Sequence, residues 1–335
     1  MVSRSTSDKS TGREETKPKS AETATRVAII GAGPMGRLHA RTISRVAKND
    51  ESCVLSRVMD HHPARAQTIA AEFGATASAD LEEAIRDVDA VVVCVPTSAH
   101  FSLTADLLER GLDVLVEKPL AASVAEAKEL AVLADSRSRI LQVGHVEWYN
   151  QGWRDAAKRV GIPTKIEVER LNPPSDRGLD IDVVADFMLH DLDWVTRLMN
   201  EEVVSVCASG HCVVNDKYDE AEAELIFQSG CRARLRASRI SREQRRFVRI
   251  FGKGGSASAD LLLRCAPDSS ASGEANADPL EAQWRDFLRS VRSRESPEAD
   301  GRVGVAALEV VDRVREAIER GSRSPVREDG SALGG

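Results

Sequence analysis

Three groups of residues in this chain have the types and spacing that chemistry needs. The first is Lys118, set between Glu117 and Pro119 at the end of the apolar run 113–116. An ammonium is costly to desolvate, so a lysine closing a buried-type strand points to proton transfer or to polarising an oxygen. Its structural alternative is an ion pair with Glu117. The second group is Asp186 and His190, four apart in a segment whose apolar residues Phe187, Met188, Leu192, Val195 and Leu198 keep helical spacing. On one helix face the carboxylate can hydrogen-bond the imidazole and stabilise it as a proton acceptor. The alternatives are an N-terminal cap by Asp186 over a packed His190, or a metal site that adds Asp193. Two carboxylates and one imidazole without a further clustered ligand fall short of such a site, so no metal is expected.

The third group is Gly31-Ala-Gly33-Pro-Met-Gly36, directly after the β-rich run 27–30 and ahead of helical spacing through Leu38, Ile43 and Val46. In a strand–turn–helix, Gly31 permits the turn, Gly33 lets the backbone approach a pyrophosphate and Gly36 lets the helix pack closely. The phosphates then meet free N–H groups at the helix start. Asp60 ends the next apolar run, 54–59, roughly the ~20 residues onward that a ribose-binding carboxylate requires. Such a carboxylate accepts from ribose hydroxyls and repels a 2′-phosphate, which favours NAD over NADP, although His61, His62 and Arg65 stand close by. A hydroxyl that gives hydride to a nicotinamide must also lose a proton, and Lys118 or His190 suits that step.

These residues need a frame. Strand runs at 90–96, 113–119 and 139–145 alternate with helical stretches at 63–73, 98–110 and 123–134. Together with the first unit they predict a doubly wound parallel sheet over 25–147. Ligands bind beyond the carboxyl ends of such strands, where Pro96-Thr97, Glu117-Lys118-Pro119 and His145 all fall. From 148 to 320 the pattern changes: a helix at 151–160, strands at 165–170, 203–208, 222–227, 232–237 and 247–251, a loop at 267–279, then helices at 280–291 and 303–319. That is an α+β domain with a largely antiparallel open sheet. Residues 1–24 and 321–335 read as disordered tails.

The 335 residues and formal net charge of −7 leave no concentrated basic face for a nucleic acid or an anionic membrane. No signal peptide or membrane span is legible, so the expected location is the cytoplasm. Six cysteines without a CxxC pair read as free buried thiols. His39 and His211 read as structural, and His100 either lines the cofactor pocket or packs beside it.

Taken together, Gly31-Ala-Gly-Pro-Met-Gly36 with His39-Ala40, Pro96-Thr97-Ser-Ala-His100, Glu117-Lys118-Pro119-Leu120 and Asp186 with His190 resemble the Gfo/Idh/MocA family over nearly everything from 26 to about 320. The resemblance implies a Rossmann domain binding NAD through Gly31, Gly33, Pro34, Met35, Gly36, Asp60, Pro96, Thr97, His100, Glu117 and Lys118. It also implies a C-terminal open sheet that carries the substrate face and a homodimer or homotetramer contact. Lys118 and His190 are then the acid/base groups, with Asp186 as partner. A finer resemblance rests on Val143-Gly-His-Val-Glu-Trp-Tyr-Asn150, on Arg170-Leu-Asn-Pro-Pro with Arg177, and on the segment 182–193. These look like the branch that oxidises the 3-hydroxyl of UDP-N-acetylglucosamine or its uronic acid and supplies a 3-keto sugar to an aminotransferase. Tyr149, Asn150, Arg170, Arg177, Asp186 and His190 would face that nucleotide-sugar substrate. That branch usually reads Arg-Phe-Asn where this chain has Trp148-Tyr149-Asn150, so a positive charge is lost, and Arg170 and Arg177 are the candidates to hold a diphosphate. The rival readings are a dehydrogenase of a free polyol such as an inositol, and a catalytically silent NAD-binding regulator.

Overall fold

A computed structural model describes residues 24–50, 52–175, 181–262 and 278–322. Its first half alternates as the apolar runs dictate: β1 (Thr25–Ile30), α1 (Pro34–Asp50), β2 (Cys53–Met59), α2 (Pro63–Phe73), β3 (Thr76–Ser78), α3 (Leu81–Ala84), β4 (Ala90–Val93), α4 (His100–Glu109), β5 (Asp113–Val116), α5 (Val124–Arg137) and β6 (Leu141–Val143). The strands are all parallel, in the order β3-β2-β1-β4-β5-β6. The order reverses between β1 and β4, and a crevice opens there above the strand ends. Ala90-Val-Val-Val93 is wholly buried because helices cover both faces of the sheet. The strands stop before the polar residues, so Pro96, Glu117, Lys118 and His145 lie just past them in loops facing the crevice edge. Strand β3 and helix α3 are too short to have shown a period.

The second half comprises α6 (Gln151–Val160), β7 (Pro163–Leu171), α7 (Leu189–Met199), β8 (Val203–His211), β9 (Glu220–Phe227), β10 (Arg232–Ser238), β11 (Arg245–Gly252), β12 (Gly255–Asp260), α8 (Pro279–Ser293) and α9 (Gly301–Ser322). Its sheet runs β12-β11-β7-β10-β9-β8, with β7 and β10 parallel and every other pair antiparallel. Strict alternation of burial along β9 leaves one face in the core and one open, as expected of a half-covered sheet. The covered face packs on α6, α7 and α9 around Trp153 and Trp194, stacked at 4.9 Å. The open face carries cross-strand ion pairs such as Arg245–Glu169 and Arg234–Glu222. Helix α8 turns back: Trp284, Phe287 and Leu288 enter the core of β1, β2 and α1 rather than that of the second sheet.

The turn before α7 departs from expectation. Val184–Met188 forms a π-helical turn, and its start is capped by Asp182, whose Oδ1 accepts from Val184 N and Ala185 N at 3.0 Å. The cap is therefore Asp182, which frees Asp186. Two of the thiols expected to be buried, Cys207 and Cys212, are exposed on and just after β8, whereas Cys53 and Cys231 are buried. Cys265, Arg177 and the expected tails, except Ala24, Gly321 and Ser322, lie outside the described residues.

Candidate functional site

A cavity of about 810 Å³ fills the crevice, lined by Gly31, Gly33, Pro34, Met35, Asp60, His61, His62, Arg65, Pro96, Ala99 and Leu103 among others. A Cβ on Gly31, at φ +103°, would collide with the Cys94 carbonyl, and one on Gly36 with the Gly31 carbonyl. A Cβ on Gly33 would meet no protein atom, so this side of the loop faces open cavity. Asp60 accepts from Ala32 N at 2.7 Å and from His62 N at 2.8 Å. It thus ties the glycine loop to the start of α2 while still bordering the cavity. Bare backbone at a helix start, an apolar trough and one carboxylate are the features a dinucleotide requires.

Thr97, His100, Glu117, Lys118 and Gly36 lie outside this lining. For His100 the reason is explicit: Nδ1 is 2.7 Å from Pro119 O and Nε2 is 2.9 Å from Val95 O. It is a buried clasp between the β4 and β5 ends. Glu117 is likewise turned inward, toward His39 and the Lys118 backbone.

Lys118 pairs with Asp186, not with Glu117: Nζ lies 2.8 Å from Asp186 Oδ1 and 2.9 Å from the Asp186 carbonyl. This bridge joins the end of β5 to the π turn, with the lysine reaching both the carboxylate and the carbonyl of Asp186. Asp186 therefore does not orient His190, as spacing alone suggested: its carboxylate is taken by Lys118. His190 Nδ1 is buried without a partner. Burial above all, then the positive charges of Lys118, Arg170 and Arg246 and the neighbouring His145, hold the His190 imidazole well below its ordinary range. A neutral imidazole beside an ammonium can take one proton while its neighbour polarises an oxygen.

The residues expected to hold a diphosphate are otherwise engaged. Arg170 is 2 % exposed; its Nε and Nη2 bind Asp191 at 2.7 and 2.8 Å, and Nη1 reaches Glu147 at 3.3 Å. Burial opposes the Arg170 charge, but Asp191 and Glu147 outweigh it. Arg170 is thus a buried cross-brace rather than a free anion ligand. Tyr149 donates its hydroxyl to Asp286 at 2.7 Å. Asn150 caps α6 through Gly152 N and donates to Glu147 and Leu261 O. Both act in the joint between the two halves of the chain. Arg197 and Arg154 stack on Trp148, their guanidinium carbons 3.4 and 4.6 Å from its ring centre. Among the described residues no cluster of three or more His, Cys, Asp or Glu is placed to hold a metal ion.

Residues 25–145 match the oxidoreductase family with an NAD-binding Rossmann fold, and 145–258 match the GFO/IDH/MocA C-terminal domain. The chain belongs to the Gfo/Idh/MocA oxidoreductase family. The UDP-N-acetylglucosamine 3-dehydrogenase of Acidithiobacillus ferrooxidans is 34 % identical over 312 residues, 88 % of this chain and 97 % of that protein. A solved structure of that dehydrogenase superposes with a TM-score of 0.82, covering 89 % of this chain and 98 % of its own. An inositol 2-dehydrogenase of Rhizobium meliloti is 29 % identical over 332 residues, 88 % of this chain and 97 % of the relative. The scyllo-inositol dehydrogenase of Lactobacillus casei, solved with NAD(H) and scyllo-inositol, shares the fold at a TM-score of 0.75 and 16 % identity, covering 89 % of this chain and 98 % of that chain. This Gfo/Idh/MocA protein is an NAD-dependent oxidoreductase of the sugar-dehydrogenase type.

Sequence reading of this Gfo/Idh/MocA chain placed His145 past a strand end and read His39 as structural without giving the surroundings of either, and it passed over Arg246. His145 is buried with both ring nitrogens unpartnered; Asp193 Oδ2 is 3.8 Å away, and Asp193 Oδ1 is equally unpartnered. Nothing local marked Arg246, which shares Glu147 with Arg170. His39 carries a helical position with no hint of its partner at 117.

Proposed function

We propose that this chain oxidises a hydroxyl of a nucleotide-activated amino sugar to a ketone, at C3 of UDP-N-acetylglucosamine or a related UDP-sugar. The observation that carries the reading is the Lys118–Asp186 bridge set beside a neutral His190 at the carboxyl edge of an NAD-binding sheet. Gly31, Gly33, Pro34, Met35 and Asp60 would hold NAD, which when bound supplies the hydride acceptor. His190 takes the hydroxyl proton. Lys118, fixed by Asp186, donates a hydrogen bond to the same oxygen and steadies the charge that builds there as the C–H bond gives up its hydride. The substrate assignment is supported by the 34 % identity to the UDP-N-acetylglucosamine 3-dehydrogenase over 97 % of its length. The product would be a 3-keto sugar, a substrate for transamination, and the ion-paired open sheet face would join copies of the chain into a dimer or tetramer.

A second reading, oxidation of a free polyol, is favoured by one observation: Arg170 is spent on Asp191 and Glu147 and cannot clasp a diphosphate. Absorbance at the NADH band decides between them. NADH is expected with UDP-N-acetylglucosamine and a carbonyl trap, not with inositols, and Lys118→Met and His190→Asn should each lower turnover by roughly 10²-fold or more. A signal from inositol alone would move the substrate to the polyol, and full turnover in both variants would refute the site.

A further inference from the structure

Helix α1 presents Pro34 and Met35 to the dinucleotide cavity, and one turn further along it His39 is fully buried. His39 Nε2 lies 2.8 Å from Glu117 Oε1, and Glu117 Oε2 accepts the backbone N–H of Lys118 at 3.2 Å. The Glu117 carboxylate rests against Gly144, just past β6, where any Cβ would come within 2.9–3.0 Å of its atoms. Burial pushes the Glu117 carboxyl up, but the hydrogen bond and charge of His39, with the charge of Lys118, hold it below the usual carboxylate range. A carboxylate kept ionised in a dry place persists only while it is partnered. The sheet does not need it for closure, since β4, β5 and β6 already pair through their own ladders. What Glu117 does reach is the residue whose side chain crosses to Asp186.

We propose that His39 is a positioning residue for Lys118, acting through Glu117, so that the helix carrying the dinucleotide also sets where the ammonium stands. The proposal rests on Lys118 being an acid/base group of the reaction proposed above. Lys118 is held at two points, its backbone N–H by Glu117 and its Nζ by Asp186. Without the His39 donor, the buried carboxylate draws the Lys118 ammonium, whose charge already acts on it, inward from Asp186. A misplacement of about 1 Å in a catalytic group can cost on the order of 10²-fold in rate.

The test uses two His39 variants. His39→Phe keeps ring volume without a donor; His39→Gln restores a donor to Glu117. His39→Phe should lose roughly 10- to 100-fold in kcat, with the sugar KM and the NAD Kd, read by fluorescence titration, close to wild type. His39→Gln should recover most of the loss. In the cofactor-free protein, Lys118 labelling by an amine-directed reagent, read by peptide mass spectrometry, should slow clearly in His39→Phe and return in His39→Gln. Should His39→Phe fail to fold, Glu117→Gln, which keeps shape and an acceptor but loses the charge, should lower kcat at unchanged NAD affinity. Wild-type kcat in a folded His39→Phe or in Glu117→Gln, equal loss in both His39 variants, or unaltered labelling would overturn the proposal. Full turnover in Lys118→Met would instead sink the acid/base reading itself, so the two failures are distinguishable.

Discussion

Replacing Arg170 by methionine separates a cross-brace from a substrate ligand. The guanidinium–carboxylate contact with Asp191 is 2.7 Å, and both side chains are 3 % exposed. At an effective dielectric constant of about 20, one such contact corresponds to about 6 kcal/mol of Coulomb attraction, an upper bound because desolvation opposes it. Removing one partner of a buried pair typically costs about 3–5 kcal/mol, since the other charge is left uncompensated. Here Asp191 keeps only the Trp194 Nε1 donor at 3.1 Å, and Glu147 keeps Arg246 at 3.3 Å and the Asn150 amide. At roughly 2–4 °C per kcal/mol, the melting temperature of Arg170→Met should fall by roughly 6–20 °C. Calorimetry gives that shift, and calorimetric titration with UDP gives ligand affinity on the same sample. Arg170→Met/Asp191→Leu should regain much of the lost stability, because an apolar pair of similar volume replaces the ions. A melting temperature near wild type together with a large loss of UDP affinity would refute the reasoning and return Arg170 to the diphosphate.

Three further outcomes follow from the geometry. His190 sits well below its ordinary value of 6.5, so the unfolded state binds more protons between the two values; stability from this group is full above pH 6.5 and declines below it. The acid limb of kcat/KM should lie below pH 6.5, and Arg246→Gln, which removes one of the charges opposing His190 protonation, should move that limb upward. Gly33→Val should leave the melting temperature unchanged, since no protein atom lies within 4 Å of the added Cβ, yet weaken NAD binding at least tenfold, which a fluorescence titration reads. Gly36→Ala should instead lower both stability and NAD affinity, because its Cβ collides with the Gly31 carbonyl; equal stability in the two variants would contradict the packing argument.

What the sequence revealed and concealed follows the range of the interactions. Gly31, Gly33 and Gly36 act within six residues, and the apolar runs on either side fix strand and helix without tertiary help, so both the cofactor cavity and the parallel sheet were legible. The alternation of Lys165-Ile-Glu-Val-Glu-Arg170, in β7, announced a half-exposed strand of the second sheet for the same reason. Asp186 and His190 were read as partners on one helix face, but a lysine 68 residues away takes the Asp186 carboxylate and its carbonyl. Arg170 presented only an arginine at the end of a strand run, since its carboxylates come from Asp191 and Glu147, 21 and 23 residues away. His39 and Glu117 are 78 residues apart and meet only once α1 packs on the sheet. Helical and strand periods describe one element at a time, whereas buried charge networks are properties of the assembled core.

The most direct test of the central claim uses UDP-N-acetylglucosamine deuterated at C3, incubated with the protein and NAD and followed by mass spectrometry of the nucleotide. Deuterium appearing in NADH, with a 3-keto UDP-sugar formed alongside and both lost in Lys118→Met and His190→Asn, is the predicted result. NADH formed without deuterium, or label transfer that persists when both residues are replaced, would contradict it.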